Sequence, residues 1–93
     1  MSASFVNIRL RRREMHYLIN AAFLGPLQIE AVRAAELSND GSAVLRLSRK
    51  STEEFREAFT NELAKVGFDE NYNLTAEGRI LEDLIDFFHT VRN

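Results

Sequence analysis

The sequence predicts an α+β domain: a small two- or three-stranded sheet packed against three to four helices, in the order β-α-(α)-β-α-α. Three observations predict it. Short segments alternate apolar and polar residues, longer ones repeat apolar residues at helical spacing, and Gly, Pro and Asn-Asp-Gly punctuation separates them.

Phe5 to Leu10 opens the pattern. Val6, Ile8 and Leu10 fall on one side and Asn7 and Arg9 on the other, as in a half-buried strand. A helix follows, with Met15, Leu18, Ile19, Ala22 and Phe23 on one face, until Gly25-Pro26 stops it. Residues 27–37 read two ways. Pro26 suits a first helical position, and Ala31, Ala34 and Ala35 favour helix. Leu27, Ile29 and Ala31 also alternate, and a strand here would make a hairpin through Ser38-Asn39-Asp40-Gly41. Helix is the favoured reading.

Ala43, Leu45 and Leu47 then alternate as a second strand. Ser51-Thr52-Glu53-Glu54 is a capping box for a helix carrying Phe55, Ala58, Phe59, Leu63 and Val66. Gly67 and Phe68 predict a left-handed C-terminal stop, with Phe68 folding onto Leu63. Asp69 to Leu74 is a loop, Thr75 caps the last helix, and Glu77 suits its positive end. Ile80, Leu81, Leu84, Ile85, Phe87, Phe88 and Val91 cover roughly 160° of that helix at about 100° per residue. So wide a face belongs to a central helix or to one that partly meets another chain. Ile8-Arg9-Leu10-Arg11-Arg12 is also echoed by Leu45-Arg46-Leu47-Ser48-Arg49, each leading from strand into helix.

The 93 residues, 1–93, make a single domain with one core. The absence of cysteine excludes disulfides and thiolate metal sites and points to a reducing, cytoplasmic setting. No signal-peptide pattern or membrane-span run is present, so no membrane role is expected. Net charge is −2, unevenly placed. Residues 1–50 carry eight Lys/Arg and four Asp/Glu (+4), and residues 51–93 carry four and ten (−6). The simplest reading is that the two halves neutralise each other on folding.

No enzyme is predicted. The acids follow no calcium-loop pattern, and neither His16 nor His89 belongs to a metal-binding spacing. No serine lies in a nucleophile elbow, and no Gly-rich loop would hold a phosphate. No cofactor, metal or small-molecule ligand is therefore expected.

Two surfaces are candidates for contact. Arg9, Arg11, Arg12, Arg13 and Arg46 could meet an anion or nucleic acid, and Arg9 and Arg46 would share an outer sheet face if their strands pair. The pI of about 5.7 argues against a dedicated nucleic-acid binder. Tyr17 and Leu24 lie opposite the first helix's main stripe; with Ile85, Phe87 and Phe88 of the last helix they suggest apolar surface left over for a partner.

Tyr72-Asn73-Leu74-Thr75-Ala76-Glu77-Gly78 resembles the Tyr-x-Leu-Thr-x-x-Gly that enters the last helix of many winged-helix regulators. The resemblance covers this segment alone. A winged helix needs a helix pair before its wing, whereas here a strand opens the chain and another interrupts the helices. Residues 67–85 also resemble the tail of small bacterial proteins. The expected function is a bacterial-type, non-enzymatic interaction or regulatory module, a homodimer or the binder of one protein partner. A nucleic-acid-associated regulator is the alternative.

Overall fold

The computed structural model describes residues 5–89. Strand β1 (Phe5–Leu10) is followed by helices α1 (Arg12–Ile19) and α2 (Pro26–Arg33). A hairpin of β2 (Glu36–Leu37) and β3 (Ala43–Ser48) comes next, then α3 (Arg49–Val66) and α4 (Ala76–His89). The sheet is antiparallel in the order β1-β3-β2. The α+β class is as expected, and the element order adds one short strand, β2, to the expected series. Leu27, Ile29 and Ala31 are helical, the favoured reading, and the hairpin of the other reading forms from Glu36–Leu37 instead.

The strands pair from Phe5↔Ser48 to Leu10↔Ala43. That register puts Ile8, Leu10, Ala43, Leu45 and Leu47 on one buried face, as alternation requires. It also sets Ile8 opposite Leu45. The echoed strand segments are thus related by an approximate two-fold axis through that pair, and Arg11 and Ser48 are the N-caps of the two helices that follow.

A helical layer covers the inner face. Phe55 and Phe59 of α3 meet Phe88 of α4, with centroids 5.3 Å and 5.0 Å apart and the Phe59–Phe88 pair edge-on at 81°. Leu81 and Leu84 complete the contact, and Met15, Leu18 and Val32 bring α1 and α2 into the same cluster.

Several local expectations are corrected. Helix α1 stops at Ile19, because Asn20 donates from its side chain to the His16 carbonyl at 2.9 Å. Ile19 is therefore 60% exposed, and Phe23 and Leu24 approach the core from the following turn. Helix α3 starts a turn early: β3 runs straight into it, and Ser48, not Ser51, accepts from the Ser51 N–H at 3.1 Å.

Gly67 is right-handed (φ −78°), not the left-handed stop its position suggests. The loop makes that reversal unnecessary. Thr75 returns to donate its N–H to the Gly67 carbonyl (2.8 Å) and its hydroxyl to the Val66 carbonyl (3.0 Å). The same hydroxyl accepts from the Gly78 N–H at 2.9 Å, so Thr75 caps α4, as expected, and closes α3. Glycine is needed at Gly78 for space. A Cβ there would overlap the Gly67 carbonyl oxygen and lie 2.9 Å from the Gly67 Cα.

Two turns carry positive φ. Gly41 (φ 90°) closes the β2–β3 hairpin, as its position predicts. Tyr72 (φ 64°) is 87% exposed at a turn where glycine is the usual residue. The Asp69 carboxylate braces this turn by accepting from the N–H groups of Asn71 and Asn73 at 2.8 Å and 2.9 Å.

These contacts predict opposite outcomes for two small substitutions, read by urea unfolding. Gly78→Ala destabilises by about 1–3 kcal/mol through overpacking, although alanine is the better helix former. Tyr72→Gly stabilises by about 0.5–1 kcal/mol, the left-handed cost of an L-residue less glycine's entropy.

Candidate functional site

The described surface is organised by one ionic clamp. Glu14 is fully buried in the first turn of α1. Arg11 grips it with two hydrogen bonds, Nε to Oε1 at 3.0 Å and a terminal nitrogen to Oε2 at 2.9 Å. Arg13 adds a third from Nε at 3.0 Å. Both guanidiniums also bond Asp83 of α4, Arg11 at 3.0 Å. Arg11 lies 5.2 Å from the centroid of the Phe87 ring. Burial pushes the Glu14 carboxyl up, but the hydrogen bonds from Arg11 and Arg13 outweigh it and hold the group below its ordinary value of 4.5.

The clamp fixes α1 against α4, and an open hollow of about 870 Å³ lies beside the two helices. Tyr17, Ala21, Ala22, Phe23 and Ile80 supply apolar lining, and His16, Glu62 and Glu77 are polar groups within it. Tyr17 donates its hydroxyl to Glu77 at 2.7 Å. Burial first, then that bond to a carboxylate, pushes the phenol well above its usual 10.0. The aromatic core continues into this wall. Phe59 meets Phe23 at 6.3 Å, edge-on, and Phe23 meets Tyr17 at 6.2 Å. A second hollow of about 610 Å³ shares His16, Tyr17 and Ile80 and reaches Arg12 and Arg13. Together they make a groove with carboxylates at one end and guanidiniums at the other.

The expected contact residues are dispersed. Leu24 is 6% exposed and Phe88 fully buried, so neither can serve a partner interface. Phe88 is consumed by Phe55 and Phe59, which is why the last helix's apolar face is so wide: that helix is central. Ile85 and Phe87 are half-buried against the core, Phe87 beneath Arg11. Of the five residues expected at a partner interface, Tyr17 alone lines the groove.

The arginines divide as well. Arg11 and Arg13 are spent on Glu14 and Asp83. Arg9 and Arg46 do share the outer sheet face, Arg9 opposite Val44 and Arg46 opposite Asn7. Arg46 lies 4.8 Å from the centroid of the Phe5 ring. Arg12 stands exposed beside Gly41, at the basic end of the groove.

Sequence reading missed Glu14, Glu62 and Glu77 as site residues. Glu14 had a signal: it lies four residues before Leu18, on the buried side of α1, with Arg11 one turn behind. Asp83 had none, because its partners are on another helix. Among the described residues, no three metal-ligating side chains come together, and no helix is long and apolar enough to cross a membrane.

Fold and groove together define a small α+β domain with an open, charge-polarised cleft. Comparison with known proteins finds no family model, no curated protein and no solved structure that matches the chain.

The clamp predicts an acid limb in stability. Folded Glu14 holds its proton more weakly than the unfolded chain does, so the contribution is full above about 4.5 and lost as pH falls through the folded value. Glu14→Gln is expected to cost about 1–2 kcal/mol at neutral pH, the guanidiniums being partly screened by water. Urea unfolding at pH 7 and pH 3 checks this: the gap between wild type and variant should shrink at the lower pH.

Proposed function

We propose that the chain is a non-enzymatic interaction module, and that the groove beside α1 and α4 is its docking surface. One observation carries the reading: apolar lining, continuous with the core, lies open between charges of opposite sign. Apolar surface on a soluble domain marks contact sites, and a groove of this kind suits an amphipathic helix. Its apolar face would lie on Tyr17, Phe23 and Ile80, with a basic residue toward Glu62 and Glu77 and an acidic one toward Arg12.

The nucleic-acid reading keeps one point in its favour. A helix pair does precede a hairpin, so the chain departs less from winged-helix order than its sequence indicates. Charge weighs against it. Arg11 and Arg13 are neutralised, α2 exposes Glu30 beside Arg33, and the hairpin tip carries Asp40.

Affinity capture from a lysate with nuclease tests the docking surface. Wild type should retain a protein partner, and Ala22→Arg, which fills the groove from an exposed position, should weaken that binding at least about tenfold. Retention untouched by Ala22→Arg, or no protein retained, would defeat the reading. For the alternative, fluorescence titration of duplex DNA at low salt should show no binding that depends on Arg9 and Arg12. Affinity that falls steeply with salt, and again in Arg9→Ala/Arg12→Ala, would replace the module with a nucleic-acid binder.

A further inference from the structure

Strand β1 is an open edge. It pairs with β3 along its whole length and without a bulge. No hydrogen bond ties its other side to any described residue. Every second residue there carries an N–H and a C=O directed away from β3. The opposite edge, β2, has only Glu36 and Leu37. Short length, proline, bulges and charge are the usual means of blunting an edge, and of these β1 has only the charge of Arg9.

Its side chains select a partner. Two copies of one strand can pair antiparallel about a two-fold axis, and opposed residues then share a face. An axis at Arg9 would set Arg9 against its own copy, which repulsion disfavours. An axis at Ile8 would set Phe5 against Arg11, which lies past the strand's end and is held by Glu14 and Asp83. An axis at Asn7 places Phe5 opposite Arg9 of the second copy, and Arg9 opposite Phe5. It also places Asn7 opposite Asn7, where two side-chain amides can exchange hydrogen bonds, and Val6 against Ile8 on the inner face. Phe5 is 52% exposed and already takes a guanidinium, that of Arg46, within the chain. Stacking of Arg on Phe is thus the existing chemistry of this face.

We propose that a second copy of this chain docks on β1, antiparallel about Asn7, and that the two sheets join into one in the order β2-β3-β1-β1-β3-β2. This extends the interaction-module reading to a second surface, separate from the groove, so the groove and its partner site stay open in the dimer.

The absence of native cysteine makes the register directly readable. Opposed Cα atoms in an antiparallel pair lie about 4.5–5.5 Å apart, within the span of a disulfide. Asn7→Cys should therefore form a covalent dimer in oxidising buffer. Phe5→Cys and Arg9→Cys should each stay monomeric on a non-reducing gel, their own copies being roughly 13 Å away, yet cross-link when mixed with each other. Sedimentation at roughly 100 μM should give a dimer mass for wild type. Phe5→Lys, set against Arg9, should give a monomer of unchanged circular dichroism, and Phe5→Lys/Arg9→Glu should restore the dimer. A monomeric wild type, or equal cross-linking at all three positions, overturns the inference and leaves the groove reading standing. A dimer broken by Ala22→Arg but not by Phe5→Lys overturns it in favour of the groove. Loss of partner capture in a dimer still sensitive to Phe5→Lys would defeat the groove reading alone.

Discussion

The edge of one phenylalanine against another organises this molecule. Phe59 and Phe88 meet at 5.0 Å, with Phe55 closing the triangle, and no side chain of the three touches solvent. A cluster of this kind stabilises through buried area and adds a directional preference in how the rings meet. It sets α3 against α4, and the inner faces of β1 and β3 rest on this surface together with Met15, Leu18 and Val32 of α1 and α2. Its influence runs outward through Phe23 to Tyr17, so a wall of the groove is an extension of the core.

The helix pair can approach closely because its far end is built from backbone. Gly67 and Gly78 bring α3 and α4 together where a single methyl group would not fit, and Thr75 satisfies both helix ends at once. One residue thus does the work of two caps, and α4 enters at an angle that carries Glu77 and Ile80 to the groove. The loop before it stands out in solvent, with Tyr72 in a conformation that costs about 1–2 kcal/mol for an L-residue. The close packing beneath tolerates that cost.

Electrostatics act on the same geometry. The positive first half meets the negative second half at Asp83, where the two guanidiniums that hold Glu14 also join α1 to α4. A buried carboxylate is stable only with its hydrogen bonds complete, so the clamp constrains where α1 can lie more than it adds net stability. That constraint gives the groove its second wall. It also engages Arg11 and Arg13, exposed as they are, and leaves Arg9, Arg12 and Arg46 as the arginines of the basic cluster outside the clamp.

Local periodicity was enough to predict β1, β3, α3 and α4, because the alternation of Val6, Ile8 and Leu10 and the spacing of Phe55, Phe59 and Leu63 are one-dimensional properties. Turn chemistry at Asp40-Gly41 and the Thr75 cap were legible for the same reason: the atoms involved are near neighbours in the chain. The candidate site was legible only in part. Tyr17 and the arginines Arg11, Arg12 and Arg13 were singled out, but not the carboxylates they meet, and Leu24 and Phe88 turn out buried because an apolar stripe does not say what covers it. Asp83 reads as a solvated acid until α1 lies beside it, and Gly67 reads as a left-handed stop until Thr75 returns to cap it. The sequence by itself determined which faces must be buried and where the elements begin and turn. Which face meets which, and so where the clamp and groove form and which strand edge stays open, was decided by tertiary packing, because those contacts join residues tens of positions apart that no local pattern links.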